Sequence, residues 1–156
     1  MARIRFYPTC LSLLELPALD LPVEPLFPFG HGLSYARFEL GEPRVAPAEV
    51  RPGARVTIEV DVANVGAVAG EETVLLFSHD PVASLARPVL ELEGMAKINL
   101  APDERGTIRF TLEVDDLAFL GADLTPRLEP GVVDLLVGRS ADRQTLHQTS
   151  IRILAH

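Results

Sequence analysis

Four acidic pairs are the first residues to test for chemistry: Glu71/Glu72, Glu91/Glu93, Asp103/Glu104 and Asp115/Asp116. Two carboxylates a few ångströms apart can divide acid, base and nucleophile roles, but only in a pocket that pulls their pKa values apart. Neighbours on an extended chain point to opposite faces, so Glu71 and Glu72 do not converge if that stretch is a strand. Glu91 and Glu93 share a face, which reads as an ordinary solvated one. The histidines are His31, His79, His147 and His156. Zinc needs three or four convergent ligands, and His79-Asp80 matches no ligand spacing. The single cysteine, Cys10, excludes an intrachain disulfide and a cysteine-based zinc site. As a nucleophile it has no histidine partner. Gly30-His31-Gly32 lacks the third glycine and the strand–turn–helix setting of a phosphate loop. The expectation is a chain with no catalytic residue, metal ligand set or cofactor site.

The elements that would position any site follow from composition and period. The chain has 156 residues, 47% hydrophobic and 23% charged, which fits one domain with a tail. Its net charge is −8, and its one lysine, Lys97, stands in no basic cluster. A nucleic-acid partner is therefore not expected. No run approaches the roughly 18 apolar residues of a membrane span. The apolar stretch Leu11–Leu21 follows a basic start, yet Pro8, Glu15, Pro17 and Asp20 break it up, so it does not read as a signal peptide.

From Phe38 onward the hydrophobic period is two. Val56, Ile58, Val60 and Val62 alternate with Thr57, Glu59 and Asp61; Ile108, Phe110 and Leu112 alternate with Arg109 and Thr111. Thr149, Ile151 and Ile153 repeat the pattern, and Phe38 and Leu40 open it. These are half-buried strands. Residues 91–100 can hold one or two strands broken near Gly94. Asp115 to Leu120 fits one helical turn. Arg51-Pro52-Gly53, Ala101-Pro102-Asp103 and Glu129-Pro130-Gly131 carry turn residues. Strands punctuated this regularly read as an antiparallel β-sandwich. Thr73–Phe77 is apolar on both faces, so Leu75 and Phe77 need a cover beyond the core: a loop of the chain or a partner. Residues 25–37 are a loop by composition, yet they carry Leu26, Phe27, Phe29, Leu33 and Tyr35.

Leu26-Phe27-Pro28-Phe29-Gly30-His31-Gly32-Leu33-Ser34-Tyr35 resembles the segment leading into the last domain of family 3 glycoside hydrolases, the β-glucosidases and β-xylosidases. The similarity continues in order through Val62-Ala63-Asn64-Val65-Gly66, Ala69–Phe77, Arg87-Pro88-Val89-Leu90-Glu91-Leu92-Glu93-Gly94, Glu129-Pro130-Gly131 and Val137-Gly138-Arg139-Ser140. Asp103 stands where the family often has glycine, and Leu75 where a polar Gln is common.

The resemblance implies an immunoglobulin-like, fibronectin type III-like sandwich over 38–154, entered through the loop 25–37. Residues 1–24, an irregular tail, depart from the family's lead-in and suggest a truncation, a frameshift or a misplaced start. The family hydrolyses β-linked sugars with two carboxylates about 5 Å apart. Both lie upstream of the loop, so none transfers to this chain. The expected role is that of a non-catalytic accessory domain whose partners are the catalytic domains. Phe29, His31 and Tyr35 either dock the sandwich onto them or pad the sandwich itself. Leu75 and Phe77 are candidates for the same contact. Arg87 makes an interdomain ion pair or is a surface arginine. The alternatives are a carbohydrate-binding module, for which the chain offers no Trp and two Tyr, and a protein-interaction sandwich.

Overall fold

The computed structural model describes residues 25–85, 87–121 and 123–155, together with the backbone of Arg5–Phe6. Twelve strands are seen among these: β1 Arg5–Phe6, β2 Phe38–Leu40, β3 Arg44–Ala46, β4 Glu49–Val50, β5 Arg55–Asn64, β6 Gly70–His79, β7 Leu90–Leu100, β8 Arg105–Glu113, β9 Phe119–Leu120, β10 Pro126–Arg127, β11 Gly131–Gly138 and β12 His147–Ile153. They form a β-sandwich. One sheet runs β1-β7-β6-β11-β12-β4; in the other, β5 pairs with β8 along one edge and with β2 and β3 along the other. β9 and β10 make a small separate hairpin, and Val114–Leu117 is one turn of 3-10 helix. Within the 1–24 tail, expected to be irregular, Arg5–Phe6 instead adds an antiparallel edge strand to β7; the rest of the tail lies outside the described residues.

Alternation in the sequence becomes alternation in burial. Val56, Ile58, Val60 and Val62 of β5 and Ile108, Phe110 and Leu112 of β8 line one wall of the core. Val74 and Leu76 of β6, Val133, Leu135 and Val137 of β11, and Ile151 and Ile153 of β12 line the other. Burying one such side chain stabilises the fold by about 1.5–3 kcal/mol. The turns at 51–54 and 101–104 close with hydrogen bonds from Ala54 N to the Arg51 carbonyl and from Glu104 N to the Ala101 carbonyl. Gly53 and Asp103 occupy their left-handed third positions, with φ of 78° and 61°.

Two strands carry apolar residues on both faces. Leu75 and Phe77 of β6 and Leu136 of β11 point away from the main core into a second cluster. That cluster coats the outside of the six-stranded sheet.

Residues 90–100 form one strand rather than two. The disruption expected near Gly94 is a β-bulge: Leu76 pairs with Gly94 and Phe77 with Leu92, which leaves Glu93 as an extra residue. Gly94 faces inward, where a Cβ would come within 3.3 Å of the Phe110 ring across the sandwich. The Ser78 hydroxyl donates to the Glu93 carboxylate at 2.7 Å.

Candidate docking site

The loop 25–37 lies against the outer face of β6 and β11. Phe29 packs into the second cluster with Leu75, Phe77, Leu90 and Leu136. Its carbonyl accepts a hydrogen bond from Ala141 N at 2.7 Å. Gly30, with φ of 83°, presses its backbone onto the sheet: a Cβ there would meet Leu75 Cδ1 at 2.9 Å and the Arg139 carbonyl oxygen at 2.8 Å. Only glycine combines that φ with so close an approach. Further along, Val65 N donates to the Arg37 carbonyl at 2.8 Å, tying the loop's far end to the start of the sandwich.

Anchored at both ends, the loop divides its apolar residues. Phe29 is half-buried, and Leu75 and Phe77 beneath it are 2% and 0% exposed. Leu26, Phe27, Leu33 and Tyr35 stand outward, with exposures of 87%, 66%, 96% and 102%. His31 is exposed, and its ring lies 5.0 Å from that of Phe27. Beside the loop runs an open groove of about 1150 Å³, lined by residues 29–37 of the loop, β2, Thr73 and Leu75 of β6, and Met95 of β7. Two of the carboxylates along it are engaged: Glu71 with Lys97 at 2.6 Å and Glu72 with Arg139 at 3.6 Å.

Arg87 lies elsewhere, in the β6–β7 connection. Its side chain is 10% exposed. Its guanidinium bonds Asp80 at 3.0 Å and the Leu117 carbonyl at 3.1 Å, and stacks 5.1 Å from the centre of the Phe119 ring. Arg87 thus clamps the connection to the 3-10 turn and β9 within the domain.

Each of the other acidic pairs has a member held in a structural bond. Glu104 accepts from Ala101 N at 2.7 Å, closing its turn, and Asp115 accepts from Gly53 N at 2.8 Å. Glu91 is buried, with Arg87 at 3.7 Å. Among the described residues, the carboxylates with displaced pKa values include Asp61, Asp123 and Glu129. Asp61 is held down to about 2 by Arg44, Asp123 is lowered by the Thr125 hydroxyl, and Glu129 is lowered by Ser84. A general acid needs the opposite displacement. His147 pairs with Glu42 at 3.2 Å. Among the described residues no group of three or more His, Cys, Asp or Glu is placed to hold a metal ion. Cys10 and His156 lie outside them.

Sequence reasoning missed Met95, 60% exposed on the groove. It also missed the exposed Val82, Leu120 and Leu124 at 86%, 52% and 77%.

Two sheets with this connectivity, antiparallel except where β4 pairs parallel with β12 at one edge, define the class of fibronectin type III-like domains, and residues 72–141 match the fibronectin type III-like domain family. The chain is 39% identical over 132 residues to the thermostable β-glucosidase B of Acetivibrio thermocellus, covering 84% of this chain and 17% of that one. It is 37% identical over 129 residues to a β-xylosidase of Formosa agariphila, covering 83% and 18%. The crystal structure of the β-glucosidase from Listeria innocua in complex with glucose superimposes with a TM-score of 0.81 at 33% identity, over 88% of this chain and 19% of that one. The chain belongs to the fibronectin type III-like domains of family 3 glycoside hydrolases. It spans less than a fifth of the length of these relatives, in which the domain is one part of a larger protein.

Proposed function

We propose that this chain is a non-catalytic accessory domain that covers apolar surface on the catalytic domains of a family 3 glycoside hydrolase and stabilises them. One observation carries the reading: the loop 25–37 is fastened to the sandwich through Phe29 and Gly30 while Leu26, Phe27, Leu33 and Tyr35 stand in solvent. Exposed apolar side chains held on a rigid support mark an interaction surface. Burying a leucine or phenylalanine contributes about 1.5–3 kcal/mol. A tether between the domains makes docking intramolecular, so a modest contact suffices. His31 and Tyr35 are the polar-tipped members of this surface; Leu75 and Phe77 contribute from beneath by supporting Phe29.

The test exchanges the matched region of the Acetivibrio thermocellus β-glucosidase B for this chain. The chimera is expected to hydrolyse an aryl β-glucoside and to unfold at a higher temperature than the same enzyme with the region deleted. Equal midpoints would refute the stabilising role. The isolated chain is expected to leave aryl β-glucosides and β-xylosides intact. Heat-labile turnover that disappears in a carboxylate variant would overturn the non-catalytic reading.

A further inference from the structure

We infer that the docking surface extends across the sheet to Met95, and that the β-bulge in β7 exists to put it there. The inference rests on the docking role proposed above and deepens it by naming a second contact, distant in sequence from the loop.

The argument starts from strand parity. Leu90 and Leu92 belong to the second cluster, on the outer face of the sheet. With strict alternation, residues 94, 96 and 98 would follow them outward and Met95 would point into the core. Glu93 is inserted between the pairs Phe77–Leu92 and Leu76–Gly94, so parity reverses. Gly94, Ala96 and Ile98 now face inward, with Ala96 and Ile98 packed on the main core. Met95, Lys97 and Asn99 face outward and are exposed. Bulges re-aim side chains at functional places. Here the side chain brought outward is apolar, 60% exposed, and directly opposite Leu75 in the register.

Met95 and the loop belong to one groove. Of the charged groups beside it, Lys97 pairs with Glu71 and Arg139 with Glu72, while Arg37 and Glu39 stand at its loop end. The surface between loop and Met95 therefore offers a partner apolar contact beside side chains whose charges are paired within the chain. Methionine suits such a place, being unbranched and adaptable to an irregular partner face. The occupant is the catalytic part of the parent hydrolase: in the relatives more than four-fifths of the chain lies beyond the matched region.

The chimera described above tests this. Met95→Glu is expected to lower its unfolding midpoint by about 2–4 °C, and Met95→Leu to restore it. The isolated chain carrying Met95→Glu should unfold at the parent temperature, because the side chain is exposed. If Leu33→Ser and Tyr35→Ser lower the chimera's midpoint while Met95→Glu leaves it unchanged, the loop docks, Met95 does not, and this inference is overturned. If Met95→Glu destabilises the isolated chain equally, Met95 serves only the sandwich, and the inference again fails. If the parent chimera gains nothing over the deletion, the docking role itself falls.

Discussion

Gly30 rests directly on Leu75, so closely that a methyl group at residue 30 would sit 2.9 Å from Leu75 Cδ1. This contact welds an irregular loop to a β-sheet and decides which loop residues remain outside. Gly30→Ala must both adopt φ of 83° and push the loop off the sheet. The cost is expected to be about 1–3 kcal/mol, read by urea denaturation of the isolated chain. Stability unchanged within error would show that the loop is not seated on Leu75.

Asn64 is 1% exposed and uses both ends of its amide. It donates to the carbonyls of Val68 at 2.8 Å and Leu100 at 3.0 Å, and accepts from Gly66 N at 2.9 Å. Asn64→Ala strands buried backbone groups and should cost about 1–3 kcal/mol. In Asn64→Asp an ionised carboxylate would face two carbonyl oxygens. That variant's deficit against the parent is expected to shrink as the pH falls and the new carboxyl gains a proton to donate. Thermal midpoints at neutral and mildly acidic pH measure it.

Asp61 connects β5 to β3 and β8. Arg44 donates to its two oxygens at 2.7 and 3.0 Å, and Thr107 donates to one at 2.7 Å. Arg44 and then Thr107 lower its pKa from 3.8 to about 2. A carboxyl with a lower pKa folded than unfolded contributes stability that is complete above the unfolded value and lost as pH falls through the folded one. Its contribution should therefore fade between about pH 4 and pH 2. Asp61→Asn should flatten that part of the curve of midpoint against pH and lower the plateau above it. An acid limb identical to the parent's would rule Asp61 out as a source of the decline.

Arg87 separates a clamp within the domain from a contact between domains. Removing a cation from a largely buried pair costs of the order of 3 kcal/mol, because the partner charge stays behind. Arg87→Ala is expected to destabilise the isolated chain about as much as the chimera. Arg87→Lys should recover part of the loss, since it keeps the charge but not the fork that reaches Asp80 and the Leu117 carbonyl together. A loss confined to the chimera would return Arg87 to the interface.

Much of this protein was legible residue by residue. The strict alternation from Val56 to Val62 makes a strand with one wet face whatever surrounds it, because side chains on an extended chain alternate by local geometry. The apolar run Thr73–Phe77 likewise announced a strand needing cover on both sides. The Pro- and Gly-rich loop 25–37 announced apolar residues with no regular element to bury them. Where the local rule broke, only a hint was visible: Gly94 marked an irregularity, but a broken strand and a bulge look alike without the partner strand.

What the sequence determined alone was the two-faced character of the long strands β5, β8 and β12 and the doubly apolar character of β6. Which face would be covered, and by what, required the tertiary structure. Phe29 goes in while Leu33 and Tyr35 stay out because the Gly30 backbone meets β6, some 45 residues on. Met95 points outward because Glu93 is the extra residue of a bulge opposite β6, and Arg87 is held inside by Leu117 and Phe119, 30 or more residues away. Alternation is a property of neighbouring residues, whereas burial is a property of whatever distant segment the fold brings over them.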